Sequence, residues 1–205
     1  MKRTIKKETD KNKMRGLILD TAIKLFLKEG YERVTLRAIA REMDYSPGII
    51  YWYFKNKNDI LFALHAIGFE KLDAKQQEVR AIKDPWKRLL KSSENYLSFA
   101  LKNPEYYDLM FIMRGPAKMM KEKKNWTSGM HSYEMLKKDV QECINAGNLM
   151  KTSAEVATFA FWSFLHGIAS IIIRERGVMH TPKRLRAVVR GARSFMLESI
   201  RRPAK

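Results

Sequence analysis

Two tyrosines and a lysine stand close together in "SPGIIYWYFKNK", residues 46–57, in a pattern suited to binding phosphate groups. The hydroxyls of Tyr51 and Tyr53 are carried on rigid rings and can donate hydrogen bonds to phosphate oxygens at little cost in side-chain entropy, while Lys57 supplies a compact positive charge. The pattern predicts contact with the backbone of a nucleic acid. A solvated helix face without a partner is the alternative that these residues alone leave open.

The residues just before these tyrosines are candidates for contacting bases. Tyr45 and Pro47 offer ring carbons that can touch the methyl group of thymine, and Ser46 and Gly48 stand where a helix entering the major groove would come nearest its floor. Arg37, in the preceding segment, can reach a phosphate or the edge of a guanine. We expect these residues to add sequence readout to the phosphate contacts.

The charge of the chain agrees with a polyanionic partner. Its 205 residues include 40 Lys and Arg against 22 Asp and Glu, which gives a formal net charge of +18. Seven basic residues and two acidic ones lie in the first fifteen positions, and residues 1–12 are predicted to form a flexible basic arm that lies along a phosphate backbone. A tail without function, and a charge that serves only solubility, are the alternatives.

The sequence offers little support for catalysis or metal binding. The four histidines lie on separate segments, and there is neither a Cys/His cluster with metal-ligand spacing nor a glycine-rich phosphate loop. We therefore predict that the protein is not an enzyme and uses no metal or cofactor. The single cysteine and the lack of a signal-peptide pattern predict a cytoplasmic location.

Helical spacing of apolar residues recurs along the chain, and the second and third of the first three predicted helices have the arrangement of a helix-turn-helix. Apolar residues predict a helix over about residues 12–29, and Thr35 is placed to cap a second helix over residues 36–43. Ser46 can cap a third helix, with Pro47 at its first position, where a missing amide hydrogen costs nothing. Two short helices joined by a tight turn are the arrangement that places the second helix in the major groove of DNA.

The rest of the chain predicts more helices and no sheet. A long fourth helix starts near residue 58, and further helices begin at Asp84-Pro85 and Asn103-Pro104, with later ones over about residues 126–146, 153–175 and 181–201. We predict an all-α protein with an N-terminal DNA-binding domain, residues 1–58, and a C-terminal helical domain, residues 59–205. The resemblance described next implies that this second domain serves ligand binding and dimerisation.

Residues 18–61 strongly resemble the TetR (tetracycline-repressor) family of bacterial transcriptional regulators. The segment carries Phe-x-x-x-Gly-Tyr at the end of helix one, Thr-x-x-x-Ile-Ala in helix two, Ser-x-Gly-x-Ile-Tyr in helix three and Tyr-Phe-x-x-Lys at its close. Asp44 departs from the pattern, since the family commonly has glycine in this turn. The resemblance implies contacts with double-stranded operator DNA by Thr35, Arg37, Tyr45, Ser46, Pro47, Gly48, Tyr51, Trp52, Tyr53 and Lys57.

The resemblance also implies a homodimer formed by the last two helices of each chain. The stretch "VATFAFWSFLHGIASIII", residues 156–173, has no charged residue and is apolar nearly all round, so both of its faces need partners. Its length is close to the ~20 residues that span a bilayer, but its small and polar residues favour a helix inside a protein assembly, with no membrane partner. The dimer-interface candidates are Trp162, His166, Gly167 and Ser170.

An apolar pocket for a small-molecule inducer of unknown identity is the family's remaining implication. Aromatic and methionine side chains are dense enough to build one, although plain core packing would use the same residues. The pocket candidates are Phe62, Trp86, Tyr96, Phe99, Tyr107, Phe111, Trp126, Met130 and Tyr133. The predicted function is a ligand-responsive regulator, most commonly a repressor released from a palindromic operator. A DNA-binding protein without an effector and a basic membrane-surface protein are the alternatives.

Overall fold

Nine α-helices make up most of the part of the chain that the structure describes. The structure is a computed structural model that describes residues 2–114, 117, 121 and 126–202, with side chains from residue 10 onward in the first helix. The helices are α1 (Lys2–Glu29), α2 (Leu36–Glu42), α3 (Pro47–Tyr53), α4 (Lys57–Gln77), α5 (Pro85–Lys102), α6 (Pro104–Tyr107), α7 (Thr127–Asn145), α8 (Ala154–Ile173) and α9 (Pro182–Ile200). A π-helical turn, Asp108–Ile112, follows α6. The all-α prediction is confirmed.

Helix α1 is longer than the sequence predicts. It begins at Lys2, whereas the prediction placed its start near residue 12 behind a flexible arm. The arm is therefore helical in the structure. The first fifteen residues contain neither glycine nor proline, and lysine, arginine and glutamate are good helix formers, so nothing in the local sequence stops the helix. The prediction of a flexible arm rested on the high positive charge and gave too little weight to the helix propensities of these residues.

The chain packs as two compact units. The first contains Met1–Gly68 and Glu105–Trp126, and the second contains Phe69–Pro104 and Thr127–Lys205. Helix α4 is continuous across residue 68, so its two parts belong to different units. The boundary after residue 58 stays a prediction about where the DNA-binding function ends.

The first unit is built around one apolar cluster supplied by α1, α2, α3 and α4. Its fully buried members include Ile18, Phe26, Ile39, Ile50 and Ile60. Helix α2 starts as predicted, since the Thr35 hydroxyl oxygen accepts a hydrogen bond from the Ala38 amide at 3.1 Å. The buried side of α3 is thus part of the core of the first unit.

The turn between α2 and α3 places Asp44 in the left-handed region, with φ of 58°. The amides of Asp44 and Tyr45 donate to the carbonyls of Arg41 and Ala40, at 3.1 and 2.9 Å, which closes the helix with a Schellman motif. This is the position where the family commonly has glycine. Asp tolerates the conformation better than most residues because its short polar side chain can bond locally.

Substitutions at Asp44 should rank by their tolerance of positive φ. We expect Asp44→Gly to be more stable than Asp44→Ala by about 1 kcal/mol, with the wild type between them, because a Cβ clashes in the left-handed conformation. Urea unfolding of the three proteins measures the order. Equal stabilities of the Gly and Ala variants would show that a Cβ costs no free energy in the left-handed conformation of this turn.

Helix α4 and the π-helical turn meet within the first unit at His65. The side chain is 5% exposed, and its Nε2 donates to the Leu109 carbonyl at 3.2 Å, which makes Nε2 the protonated nitrogen of a neutral ring. Burial lowers the pKa of His65 to about 4, an effect that its hydrogen bond to Leu109 partly opposes.

Acid should destabilise the protein through this histidine. Because the folded pKa lies below the unfolded value of about 6.5, stability is fully present above pH 6.5 and is lost as the pH falls towards 4. We expect the wild type to lose about 2 kcal/mol more than His65→Gln between pH 7.5 and pH 5. Urea unfolding at both pH values measures the difference. Parallel losses in the two proteins would assign the acid sensitivity to other groups.

The second unit is formed by α5, α7, α8 and α9 with the end of α4, and a buried ion-pair network joins its parts. Asp139 of α7, 1% exposed, accepts from Arg80 at 2.9 Å and 2.5 Å and from Arg88 of α5 at 3.0 Å. Arg88, 7% exposed, also pairs with Glu142. The network ties the segment that follows α4 to both α5 and α7.

Candidate nucleic-acid interface

Helix α3 buries one side and exposes another. Ile50 and Phe54 are 0% and 4% exposed and belong to the apolar cluster. Tyr51 and Trp52 are 51% and 67% exposed, so both large rings face outward from a helix whose other side is fixed in the core. Trp52, which the resemblance implies as a DNA contact, therefore lies on the surface.

The start of α3 is open to a close-approaching partner. Tyr45, Ser46, Pro47 and Gly48 are all exposed, and a Cβ built at Gly48 would meet only the Ser46 hydroxyl, at 3.8 Å. Pro47 is the first residue of the helix, as predicted. A binding partner can therefore come close to the backbone at the start of α3.

The Ser46 hydroxyl does not cap α3, contrary to the prediction. Ser46 occupies the N-cap position, but its side chain makes no capping hydrogen bond. The Ile49 amide, which a capping hydroxyl would bond, donates instead to the carbonyl of Ser46 at 3.1 Å. The hydroxyl is consequently unused by the helix and suits a contact with DNA.

Tyr53 and Lys57 also make contacts within the protein. Tyr53 is half-buried against the apolar cluster, with its ring edge-on to Trp52 at a centroid distance of 4.6 Å. Lys57 Nζ donates to the carbonyls of Tyr31 and Glu32, at 2.7 and 3.1 Å, and lies 4.3 Å from the centre of the Tyr31 ring. Burial lowers the pKa of Lys57, while the nearby Glu32 carboxylate acts in the opposite direction. Lys57 therefore fixes the turn between α1 and α2 as well as carrying charge.

Helix α2 adds a pair of exposed cations. Thr35 and Arg37 are exposed, as a DNA contact requires, and the Thr35 hydroxyl keeps its hydrogen to donate while its oxygen caps the helix. Arg41 is also exposed, one helical turn after Arg37. The sequence prediction omitted Arg41, although its four-residue spacing from Arg37 was the signal that could have found it.

The predicted pocket residues are divided between the two units. Phe62, Tyr107, Phe111 and Trp126 belong to the first unit, and Trp86, Tyr96, Phe99, Met130 and Tyr133 belong to the second. Tyr107 and Phe99 are buried in their units, whereas Met130 is exposed. Phe99 also lines a surface cavity of about 270 Å³ between the end of α4 and α5, with Lys71, Lys75 and Lys102 around it.

One dimer-interface candidate, Trp162, contacts two pocket candidates inside the second unit. Trp162 Nε1 donates to the Tyr96 hydroxyl at 3.3 Å, and its ring contacts Tyr133 and His166 at centroid distances of 6.4 and 5.8 Å. Burial lowers the pKa of His166. Gly167 differs, because a Cβ built there meets nothing within 4 Å. Ser170 is half-buried.

Much of α8 and α9 is left uncovered within one chain. Val156, Phe159 and Ile171 of α8 are 49% to 60% exposed, and Phe195 of α9 is 77% exposed. Among the described residues, α8 is also the one helix long and apolar enough to cross a membrane by length and composition. Length and apolarity are shared by helices that pack against a second protein chain, so these properties do not by themselves indicate a membrane.

The described residues hold no group of three or more His, Cys, Asp or Glu side chains that could bind a metal ion. The thiol of Cys143 is buried, and burial raises its pKa to about 12, with the Asp139 carboxylate adding to the effect. A neutral thiol is a poor nucleophile. The exposed face of α3 is therefore the candidate site that the chemistry of the side chains supports.

A short helix with an exposed tyrosine and an exposed tryptophan, which follows a second short helix after a tight turn, is the arrangement of a helix-turn-helix DNA-binding protein. The model of the bacterial regulatory proteins of the tetR family matches residues 18–64, and that of the tetracyclin repressor-like C-terminal domain matches residues 89–194. The chain belongs to the TetR family. This is a family of transcriptional regulators, not of enzymes, as the sequence predicted.

Curated relatives match mainly in the DNA-binding segment. The transcriptional regulator HbdR of Aromatoleum sp. is 50% identical over 48 residues, which are 23% of this chain and 21% of HbdR. The transcriptional repressor KstR of Mycolicibacterium smegmatis is 39% identical over 61 residues, 30% of each chain. The chain thus spans less than a third of the length of these relatives.

Solved structures match nearly the whole chain. The TetR-family regulator PfmR of Thermus thermophilus superimposes with a TM-score of 0.71 at 21% identity, over 88% of this chain and 97% of PfmR. At this identity the likeness establishes the fold of both parts of the chain, including the helices that follow the DNA-binding segment.

Proposed function

We propose that the protein is a cytoplasmic, homodimeric repressor that binds a palindromic DNA operator and releases it when a small molecule binds. The observation that carries this proposal is the face of α3, where Tyr51 and Trp52 are exposed beside an open helix start while Ile50 and Phe54 hold the helix in the core. The similar protein KstR is a transcriptional repressor, which supports the direction of regulation.

The residues of the helix-turn-helix that are predicted to contact DNA have separate roles in this proposal. Tyr51, Tyr53, Thr35 and Lys57 bind phosphate oxygens and fix the position of the domain on the duplex. Tyr45, Ser46, Pro47 and Gly48 contact base edges in the major groove, and Arg37 reaches a phosphate or a guanine. Trp52 adds apolar contact surface beside Tyr51. Arg41 adds a phosphate contact one turn after Arg37.

The uncovered faces of α8 and α9 form the dimer interface in this proposal. Val156, Phe159, Ile171 and Phe195 leave apolar area in water that a second copy would cover. Gly167 has open space where a side chain would stand, which permits close approach of a partner helix. Two-fold symmetry then presents two α3 helices to two half-sites of an inverted repeat.

Helix α4 carries the regulatory signal in this proposal, because it is one continuous helix whose two parts belong to different units. An inducer that binds one arrangement of the dimer more tightly than the other shifts the population towards that arrangement. Tilting α4 would change the separation of the two α3 helices from the roughly 34 Å, or its multiple, that successive major grooves require. DNA affinity would then fall.

The test begins with fragments of genomic DNA that the purified protein retains, from which the operator is read. Five base pairs are then inserted between its half-sites, which turns one of them to the opposite side of the duplex. We expect binding to fall to the level of unrelated DNA, and an insertion of ten base pairs to restore part of it. Equal affinity for all spacings would overturn the dimeric geometry, and an operator affinity unchanged by every ligand that the protein binds would overturn the inducer.

A further inference from the structure

A surface cavity of about 270 Å³ lies between the end of α4 and α5, within the second unit. One wall is formed by residues three and four apart, from Lys71 of α4 to Glu78 just after it, which lie on one side of the helix. The last turn of α5, from Ser98 to Asn103, forms the other wall. The volume is close to the lower end of the ~300–1,000 Å³ typical of pockets for small molecules, which indicates a small occupant.

Hydrogen bonds fasten the two helices together beside this cavity. The Ser92 hydroxyl donates to Gln76 Oε1 at 2.7 Å, and Gln76 Nε2 donates to the Ser92 carbonyl at 3.2 Å. Asn95 Nδ2 donates to the carbonyl of Lys75 at 2.6 Å. Ser92 and Asn95 are both buried. The cavity therefore lies between two helices that are held together, and its shape does not depend on a long loop.

The lining of the cavity is positively charged. Among the described residues that line it, three are lysines and one is a glutamate, which leaves two formal positive charges. Lys75 Nζ donates to the carboxylate of Glu78 at 2.6 Å. Lys71 and Lys102 stand on opposite walls, one on α4 and one on α5. The surplus of positive charge favours an anion over a cation of the same size.

The cavity also offers apolar surface. Phe99, which is buried, and Ala74 both line it. Phe99 is the one predicted pocket candidate among the described lining residues, so this site differs from a pocket built from many aromatic side chains. A carboxylate on a short apolar body matches such a lining, with its charge near the lysines and its apolar part against Phe99.

We infer that this cavity binds a small organic carboxylate and is the site of the inducer. Lys71 and Lys102 bind the carboxylate from the two walls, and Phe99 contacts the apolar body. The role as inducer site rests on the proposed function, in which α4 carries the regulatory signal. Lys71 lies three residues after Gly68, where the continuous α4 passes from the first unit to the second. A ligand that joins α4 to α5 here therefore acts directly on α4.

The test compares the wild type with two variants of the cavity and a matched control. Lys71→Gln/Lys102→Gln removes two exposed cations from the cavity, and Lys83→Gln/Lys87→Gln removes two exposed cations from elsewhere in the second unit. Ala74→Leu fills the cavity without changing its charge. Circular dichroism checks the folding of every variant. Benzoate and hexanoate are the probes, and benzyl alcohol is the uncharged counterpart of benzoate. NMR titration at constant ionic strength measures the dissociation constants.

We expect at least one of the two carboxylates to bind the wild type and the control with equal affinity. Lys71→Gln/Lys102→Gln should bind it about tenfold more weakly or worse, because one hydrogen bond between charged groups contributes about tenfold in affinity. Benzyl alcohol should bind the wild type weakly for the same reason, and Ala74→Leu should lose the carboxylate. Failure of both carboxylates to bind, an equal loss in the control, or unchanged binding by Ala74→Leu would rule out the site.

Operator binding tests the role as inducer site. A saturating carboxylate should weaken the binding of the wild type to its operator by about fivefold or more, the usual range for coupling between two sites, and should not affect Ala74→Leu. A carboxylate that binds the cavity but leaves operator affinity unchanged would rule out the inducer role. If the wild type prefers no operator sequence, the proposed function of α3 fails instead, and the titrations still decide whether the cavity binds carboxylates.

Discussion

Tyr51→Phe is expected to weaken operator binding by about 100-fold while leaving the fold intact. The substitution removes one hydroxyl from a ring that is 51% exposed, so nothing in the core changes. A hydrogen bond to a charged group contributes about 1.5 kcal/mol, a dimer loses two, and each 1.4 kcal/mol is tenfold in affinity. Fluorescence anisotropy with a labelled operator measures the loss.

Tyr133→Phe is the matched control for Tyr51→Phe. It removes a tyrosine hydroxyl from the second unit, where the ring contacts Trp162, and should bind the operator like the wild type. Affinity for unrelated DNA should also fall in Tyr51→Phe, because a phosphate contact carries no sequence information. A loss of less than about threefold for Tyr51→Phe would place the DNA contact on another face of the protein.

Asp139→Ala should have the largest effect on stability, a loss of about 3–5 kcal/mol in the free energy of unfolding. Asp139 is 1% exposed and accepts hydrogen bonds from two arginines, of which Arg88 is itself 7% exposed. Removing the carboxylate leaves the Arg88 guanidinium buried with only part of its charge offset, by Glu142. A loss of this size is a large fraction of the ~5–15 kcal/mol that holds a typical domain together.

Denaturant unfolding of the wild type, Asp139→Ala and Glu134→Ala measures this effect. Glu134 lies on the same helix, and its side chain is 55% exposed and pairs with Lys137 at 3.5 Å. An exposed pair with neighbouring residues contributes little, so the control should lose less than about 0.5 kcal/mol. If Asp139→Ala lost as little as the control, the buried network would not be holding the second unit together.

Local signals made the helix-turn-helix predictable. The first helices were predicted from hydroxyl and proline residues at helix starts, glycine at the end of α1, and apolar residues three and four apart. The predicted Thr35 cap is present in the structure. The left-handed conformation of Asp44 could be anticipated from the glycine that the family has there. Each of these signals acts over a few residues.

Interactions between distant residues were not predictable from spacing. Lys57 bonds to two backbone carbonyls about 25 residues earlier, and no sequence pattern marks a carbonyl as an acceptor. Trp162, a dimer-interface candidate, donates a hydrogen bond to Tyr96. Spacing could not reveal this partner, because a helix that is apolar all round does not show which side turns inward. Whether its other side meets a second copy stays a prediction.

Selection of bound fragments from random DNA, with the wild type and with Tyr51→Phe at two salt concentrations, tests the central claim most directly. The account predicts an enriched inverted repeat whose half-sites are one helical turn or its multiple apart, bound far more weakly by the variant and weakened by salt in both proteins. Retention of DNA without enrichment of any sequence, or with equal strength in both proteins, would contradict it. Binding would then come from the net charge of +18 and not from the face of α3.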